Sequence, residues 1–323
     1  MTDFKAIFGR KIKFLTSDLT AGSATEGEVF YSDTDSEFKV GITVDAWASG
    51  GNLGTDRGFI AGAGIQTAAV GAGGYTHPGN TKVGNCEEYN GSAWSEVNNI
   101  NTARRSAAGT GLQTAALAIG GRGPGGNVGV VESYDGTDWS EGPDLNNARR
   151  NSAAVGTQTA ALNCAGASDP AYTESWDGSS WTEVADLNTA RGELGAAGTQ
   201  TAAVAFGGPG SSPYFGVSEE WNGTAWAEGP DLNTARGRLA SAGTSQTAAL
   251  GFLGKDNTPA FSVATESYDG TAWHARPNAA TARGYAAGCG TLAAALAFGG
   301  WNEQAVATEE FTGVATLKTV TDS

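Results

Sequence analysis

The sequence predicts an all-β fold, a six-bladed β-propeller whose blades are four-stranded antiparallel sheets. Three observations carry the prediction. Tryptophan recurs at Trp47, Trp94, Trp139, Trp181, Trp226 and Trp273, so the unit is 42 to 47 residues long. Arginine follows each tryptophan by ten residues, at Arg57, Arg104, Arg149, Arg191, Arg236 and Arg283. A small apolar phrase ending in glycine also recurs, as GIQTAAVGAGG (64–74), GLQTAALAIGG (111–121), GTQTAALNCAG (156–166), GTQTAAVAFGG (198–208) and GTLAAALAFGG (290–300). A fixed period of this length marks one supersecondary unit copied several times, each unable to bury its apolar face alone.

Within a unit the strands follow in order. A small-residue strand such as RRSAAGT comes after the arginine, and QTAALAIGG reads as the second strand. The third ends in a turn such as ESYDG, with a glutamate (Glu87, Glu132, Glu174, Glu219, Glu266) two residues before an aromatic (Tyr89, Tyr134, Trp176, Trp221, Tyr268). The fourth carries the tryptophan. Short strands joined by Asp-Gly, Asn-Gly and Gly-Thr turns fit a meander of hairpins. Alanine and glycine suit strands crowded near a propeller axis, and aromatics suit the wider outer part of each wedge.

The two ends of the repeat complement each other. The last unit runs from Arg283 to EEFTG, with Glu309 and Phe311 in the glutamate and aromatic positions, and then lacks a tryptophan strand. A lone tryptophan strand, ITVDAW (42–47), precedes the first unit. The ring closes if 42–47 completes the blade of 283–313, which removes sheet edges open to aggregation. The expected division is an attachment or oligomerisation arm at 1–41, a propeller at 42–313 and a polar tail at 314–323.

The Gly-Gly, Tyr and Trp pattern over residues 42–313 resembles the kelch repeat. CAG (164–166) and FLG (252–254) depart from Gly-Gly, so altered second-strand ends are expected in the third and fifth blades. GTQTAAVAFGG together with LNTAR (187–191) resembles kelch-like tail and virion proteins of marine, cyanophage-type bacteriophages. FLTSD and EGEVFYSDTDSEFKVGI, ahead of the repeats, are similar to attachment segments of phage tail fibres. The resemblance implies a virion protein assembled in the host cytoplasm and exposed on the particle, docked to other virion proteins through residues 1–41. It also implies a homo-oligomer, since fibres of this kind are often trimers. A capsid-decoration role uses the same fold.

Composition narrows the alternatives. The chain has 19 basic and 34 acidic residues, a net charge of −15, which repels nucleic-acid backbones and anionic membranes. No apolar run reaches the roughly 18 residues that span a bilayer, and the start has no continuous apolar core of a secretory signal. Cys86, Cys164 and Cys289 are widely spaced, against a disulfide framework or zinc site, and suit folding in a reducing cytoplasm. No metal or other cofactor is expected. A copper radical site needs two histidines and two tyrosines together. His77 and His274, the only histidines, fall at different points of their repeats. No G-x-S-x-G elbow is present, and RGPGGNVG (122–129) lacks the lysine of a phosphate loop. No catalytic residue is assigned, and an enzyme acting on glycans, with acidic and basic groups converging at the axis, is the rival reading. A cellular kelch adaptor ranks below, because 1–41 is too short for a partner domain.

The repeat arginines and glutamates read as structural ion pairs, since an equal residue in every blade suits architecture better than one asymmetric site. Divergence is concentrated between the second and third strands, at YTHPGNTKVGN, RGPGGNVGV, ASDPAYT, PGSSPYFGV, KDNTPAFSVA and WNEQAVA. All six loops emerge on one face, which carries Tyr75, Tyr172, Tyr214, Phe215, Phe261 and Trp301 as candidate contacts to a host-surface glycan or protein. The alternative is drift in unconstrained loops whose aromatics fold back on the blade. In the arm, KIKFLT reads as a strand, 26–40 as a hairpin, and Lys5, Arg10, Lys11 and Lys13 as a basic docking patch.

Overall fold

The computed structural model describes residues 13–15, 29–32, 37–167, 171–209, 214–301 and 305–319, and every regular element among them is a β-strand. Contacts divide the chain into Trp47–Phe311 and a smaller unit of Met1–Ala46 with Thr312–Ser323. The larger unit is a six-bladed propeller of four-stranded antiparallel blades.

The second blade shows the plan. Ala108–Leu112, Ala115–Ile119, Val131–Tyr134 and Trp139–Gly142 pair in sequence order, each antiparallel to the next. First strands neighbour one another in a closed circuit, that of the sixth blade, Ala287–Gly290, lying beside Ala61–Ile65 of the first. Glycine makes this approach feasible, because a Cβ on Gly109 would fall 2.4 Å from the Gly62 carbonyl oxygen of the adjoining blade.

The sixth blade is completed from the start of the chain. Its order is Ala287–Gly290, Ala294–Phe298, Thr308–Thr319 and Glu37–Ser49. Both outer strands are longer than the sequence predicts, and the last one runs into the expected tail. Within the propeller, Trp47 sits 5.3 Å from Phe311 and 5.1 Å from Phe252, centroid to centroid. The Gly50 and Leu53 amides each donate to carbonyls of Thr308 and Val306 at 2.9 Å.

Each repeat tryptophan stacks or tilts against the aromatic of its own third strand, as in Tyr134–Trp139 at 4.8 Å and Trp221–Trp226 at 5.4 Å. Several also reach the preceding blade: Trp94 meets Phe298, Trp273 meets Phe206, and Trp47 meets Phe252. The QTA turns latch blades together. Gln113 donates to the Ala69 and Tyr89 carbonyls, Gln158 to those of Ala116 and Tyr134, and Gln66 to those of Ala295 and Phe311. The sixth blade has Leu292 where the others have glutamine.

The repeat arginines and glutamates form six buried ion pairs, each inside one blade: Arg57–Glu87, Arg104–Glu132, Arg149–Glu174, Arg191–Glu219, Arg236–Glu266 and Arg283–Glu309. Each glutamate also accepts backbone N–H groups from the segment entering its blade, such as Asn188 and Thr189 on Glu219. The Asn188 side chain bridges the same carboxylate to the Trp226 carbonyl. The LNTAR phrase is therefore one hydrogen-bonded plug, and its many bonds are what allow a charge pair to stay buried, although the Nε of Arg57, Arg149, Arg236 and Arg283 has no partner among the described residues.

The CAG and FLG departures leave the strand ends unaltered. Ala165 and Leu253 adopt φ of 64° and 60°, beside 62° at Gly120 and 68° at Gly207 in the same position of other blades. The neighbouring blades impose the conformation and the side chains bear it. In the smaller unit, Val29–Ser32 pairs antiparallel with the strand beginning at Glu37, the expected hairpin, and Lys13–Leu15 lies parallel to Val29–Ser32. Lys5, Arg10 and Lys11 of the basic patch lie outside the described residues, as does the Lys13 side chain.

Candidate functional site

Two residues after each repeat arginine stands a residue the sequence reading passed over: Phe59, Ser106, Asn151, Glu193, Arg238 and Tyr285. All six have left-handed backbones, with φ between 51° and 59°. Their amides and carbonyls form a closed circuit around the axis. Ser106 N–H donates to Phe59 C=O, Asn151 to Ser106, Glu193 to Asn151, Arg238 to Glu193, Tyr285 to Arg238 and Phe59 to Tyr285, at 2.7–3.2 Å. A left-handed non-glycine residue costs about 1–2 kcal/mol, so the ring holds six adjacent strained residues. The circuit of hydrogen bonds opposes that strain and fixes six unlike side chains at one mouth of the channel.

This mouth opens on the face of the divergent loops, because the ring precedes each first strand and the loops follow each second strand. Here lies a cavity of about 130 Å³, bordered by Phe59, Asn151, Glu193, Arg238 and Tyr285. Glu193 is its electrostatic centre. It accepts from Asn151 Nδ2 at 3.1 Å, Tyr285 OH at 3.0 Å and Arg238 Nε at 3.1 Å. Burial and the Glu193 charge push the Tyr285 phenol up, so it stays a protonated donor.

Aromatic and guanidinium groups extend the site outward. Phe59 stacks on Tyr285 at 3.9 Å, and Tyr75 stacks on Trp301 at 5.6 Å. Arg105 lies 4.3 Å from the Tyr75 ring centre and 5.1 Å from that of Phe59, while Arg238 faces Tyr285 at 4.8 Å and Tyr214 at 6.0 Å. His77 packs edge-on against Trp301. Of the six expected loop aromatics, Tyr75, Tyr214 and Trp301 thus join the axial cluster. Phe261 lies beside it, over Gly284, whose Cβ would fall 2.7 Å from the Phe261 ring. Tyr172 and Phe215 are half-buried in their own loops, where backbone groups tie them down. Residues 168–170, 210–213 and 302–304 of these loops lie outside the described residues.

His274 pairs with Asp269 in a turn after the third strand of the fifth blade, with 2.9 Å between Nε2 and Oδ2. Among the described residues no three His, Cys, Asp or Glu converge as a metal-binding group. The opposite mouth is a cavity of about 460 Å³ walled mainly by Gly, Ala and Thr, with Ile65 and Leu112 exposed at its edge.

The ring was hidden from sequence reasoning because its identity changes in every unit, which reads as noise in a repeat. The usable signal was a fixed offset from the arginine combined with six different side chains. No protein-family model matches the chain, and no curated protein matches it.

Proposed function

We propose that the chain is a non-enzymatic bacteriophage virion protein, tail-associated, which presents the divergent face of its propeller to a host-surface glycan or protein. The contrast between the two faces carries this reading. One face repeats the same latched turns, and the other bears six different loops around six unlike ring residues. Rigid aromatics beside arginines on a fixed scaffold suit recognition by stacking and charge-assisted hydrogen bonds. The virion assignment rests on the phrases that resemble kelch-like phage proteins and on the attachment-like segment before the repeats. Many copies on one particle would make weak single contacts sufficient.

A glycan-active enzyme is the second reading, favoured by the meeting of Glu193, Tyr285 and Arg238 at the axis. The protonated Tyr285 phenol and the three hydrogen bonds that occupy Glu193 weigh against a nucleophile or free base there. Immunogold microscopy of phage particles encoding the chain, combined with adsorption assays under excess soluble protein, tests the proposal. Tail labelling with blocked adsorption supports it. Capsid labelling without blocking reassigns the chain to decoration, and unlabelled particles remove the virion reading.

A further inference from the structure

On an acidic protein, the divergent face concentrates positive charge. Twelve arginines occur in the sequence, and six of them are committed to the buried blade pairs. Four of the remaining six, Arg105, Arg122, Arg150 and Arg238, stand around the axial mouth. Arg105 and Arg150 immediately precede the ring residues Ser106 and Asn151. Arg122 pairs with Arg105 through the backbone, N–H to carbonyl, at 2.7 Å in one direction and 3.3 Å in the other. The short hairpin of Arg122–Gly123 with Gly126–Asn127 then brings Asn127 Oδ1 within 2.7 Å of Arg150 Nη1. Three guanidinium-bearing residues are thus gathered at one hairpin.

Arg238 has its carboxylate in Glu193. Among the described residues, Arg105, Arg122 and Arg150 have none within ion-pair distance, and the buried Nε of Arg105 has no hydrogen-bond partner. Burial, followed by the charges of Arg122 and Arg105, lowers the affinity of Arg150 for its proton. Like charges held together, with Glu193 acting on Arg150 only from beyond ion-pair distance, raise the energy of the free protein, and an incoming anion relieves it. The adjoining surface is built for something other than a bare ion. Tyr75 and Trp301 pack edge-on against Phe59, which borders the cavity, Asn151 and Ser106 offer polar groups, and the cavity of about 130 Å³ is of the order of one sugar ring.

We infer that Arg105, Arg122 and Arg150 form an anion subsite that captures the carboxylate of an acidic saccharide, with Tyr75 and Trp301 at its rim. The inference deepens the host-binding reading and rests on it for the source of the saccharide. Glu193 has a specificity role here: its charge excludes a second carboxylate from the axial cavity and leaves room there for hydroxyl groups.

Calorimetric titration of the full chain with an oligogalacturonate trimer, maltotriose and triglutamate tests it. The uronate trimer should bind, with an affinity that falls as salt rises, and maltotriose should give no measurable heat. Arg122→Gln with Arg150→Gln should weaken uronate binding by at least about tenfold, since each lost charge-assisted bond is worth about that factor. Arg276→Gln, in the fourth strand of the fifth blade, is the control for general charge loss and should leave binding within about twofold. Equal binding of uronate and maltotriose, or an unaffected double variant, overturns the inference. Tighter arginine-dependent binding of triglutamate overturns the saccharide assignment. Uronate binding by a protein that ignores host cells would leave the subsite standing and remove the adhesin reading. Cell binding without uronate discrimination would do the reverse.

Discussion

Tyr285 donates its phenol hydrogen to Glu193 across the mouth of the channel at 3.0 Å, bridging residues 92 positions apart in the chain. Arg238, from the blade between them, donates to the other oxygen of the same carboxylate. The three side chains lock three successive blades at the axis. Tyr285→Phe should therefore lower stability by roughly 1–2 kcal/mol, the range for a hydrogen bond to a charged group that is partly open to water. Urea denaturation measures it. Glu193→Gln should, in addition, tighten binding of the uronate trimer, because it removes the negative charge nearest the arginines.

The buried blade pairs are a second, larger determinant. Truncating Glu174 to alanine leaves Arg149 charged and buried, together with the Asn146 and Asn147 amides that the carboxylate accepts. Breaking one side of such a pair costs about 3–5 kcal/mol. Urea midpoints should show a loss of that size for Glu174→Ala, against less than about 0.5 kcal/mol for an exposed change such as Glu183→Ala.

Gly207 tests the constraint on the Gly-Gly position. Its φ is 68°, and an added Cβ would fall 2.4 Å from the Arg236 carbonyl oxygen and 2.5 Å from Leu239 Cδ1. Gly207→Ala should cost about 2 kcal/mol or more, from left-handed strain plus the clash. Thermal unfolding would show a lowered midpoint. The third blade already carries Ala165 at this position, so the damage depends on how the next blade is set, and substitution by residue type alone does not predict it.

One buried donor can be repaired. The Trp94, Trp226 and Trp47 indoles donate to threonine hydroxyls on the third strand of the preceding blade, Thr308, Thr173 and Thr265. Trp181 meets Val131 at that position and its Nε1 has no partner. Val131→Thr, of nearly the same volume, should supply the acceptor. Against the cost of burying the hydroxyl, the net gain should be about 0.5–1 kcal/mol, read as a higher urea midpoint. The same change in a Trp181→Phe background should lose that gain.

Alkaline pH should unfold the protein. Burial pushes the thiols of Cys86, Cys164 and Cys289 from 9.0 up to about 12, and the Tyr89 phenol from 10.0 up to about 12. The folded chain therefore holds protons that the unfolded chain releases. Stability from these groups is complete below pH 9 and is lost as pH rises towards 12. Urea midpoints at pH 7, 8 and 11 should stay level over the first interval and drop over the second, and iodoacetamide should spare the native thiols at pH 8.

Much of the propeller was legible because its determinants are periodic. Trp139, Arg104 and Glu132 recur at fixed offsets, and fixed offsets are what a repeated packing unit imposes. The seam at Trp47 followed from counting one surplus strand against one missing strand. The CAG and FLG blades were misjudged because glycine preference was read as a requirement, whereas Ala165 and Leu253 tolerate the conformation that their neighbours enforce. The axial ring was missed for the opposite reason. Phe59, Ser106, Asn151, Glu193, Arg238 and Tyr285 share a backbone role and no side-chain property, so sequence periodicity does not expose them. Loop aromatics were half legible: divergence marked the face, but the stacking of Tyr75 on Trp301 joins loops of the first and last blades, which only ring closure brings together.

Binding of the divergent face to a host surface is tested directly on intact cells. Labelled full-length chain is incubated with intact candidate host cells beside two variants, Tyr214→Ala with Trp301→Ala on the divergent face and Ile65→Ser with Leu112→Ser on the opposite mouth. The unchanged chain and the opposite-mouth variant should bind cells equally, while the divergent-face variant should bind at least about tenfold more weakly. Loss of binding in the opposite-mouth variant alone, or equal binding by all three proteins, would contradict binding by the divergent face.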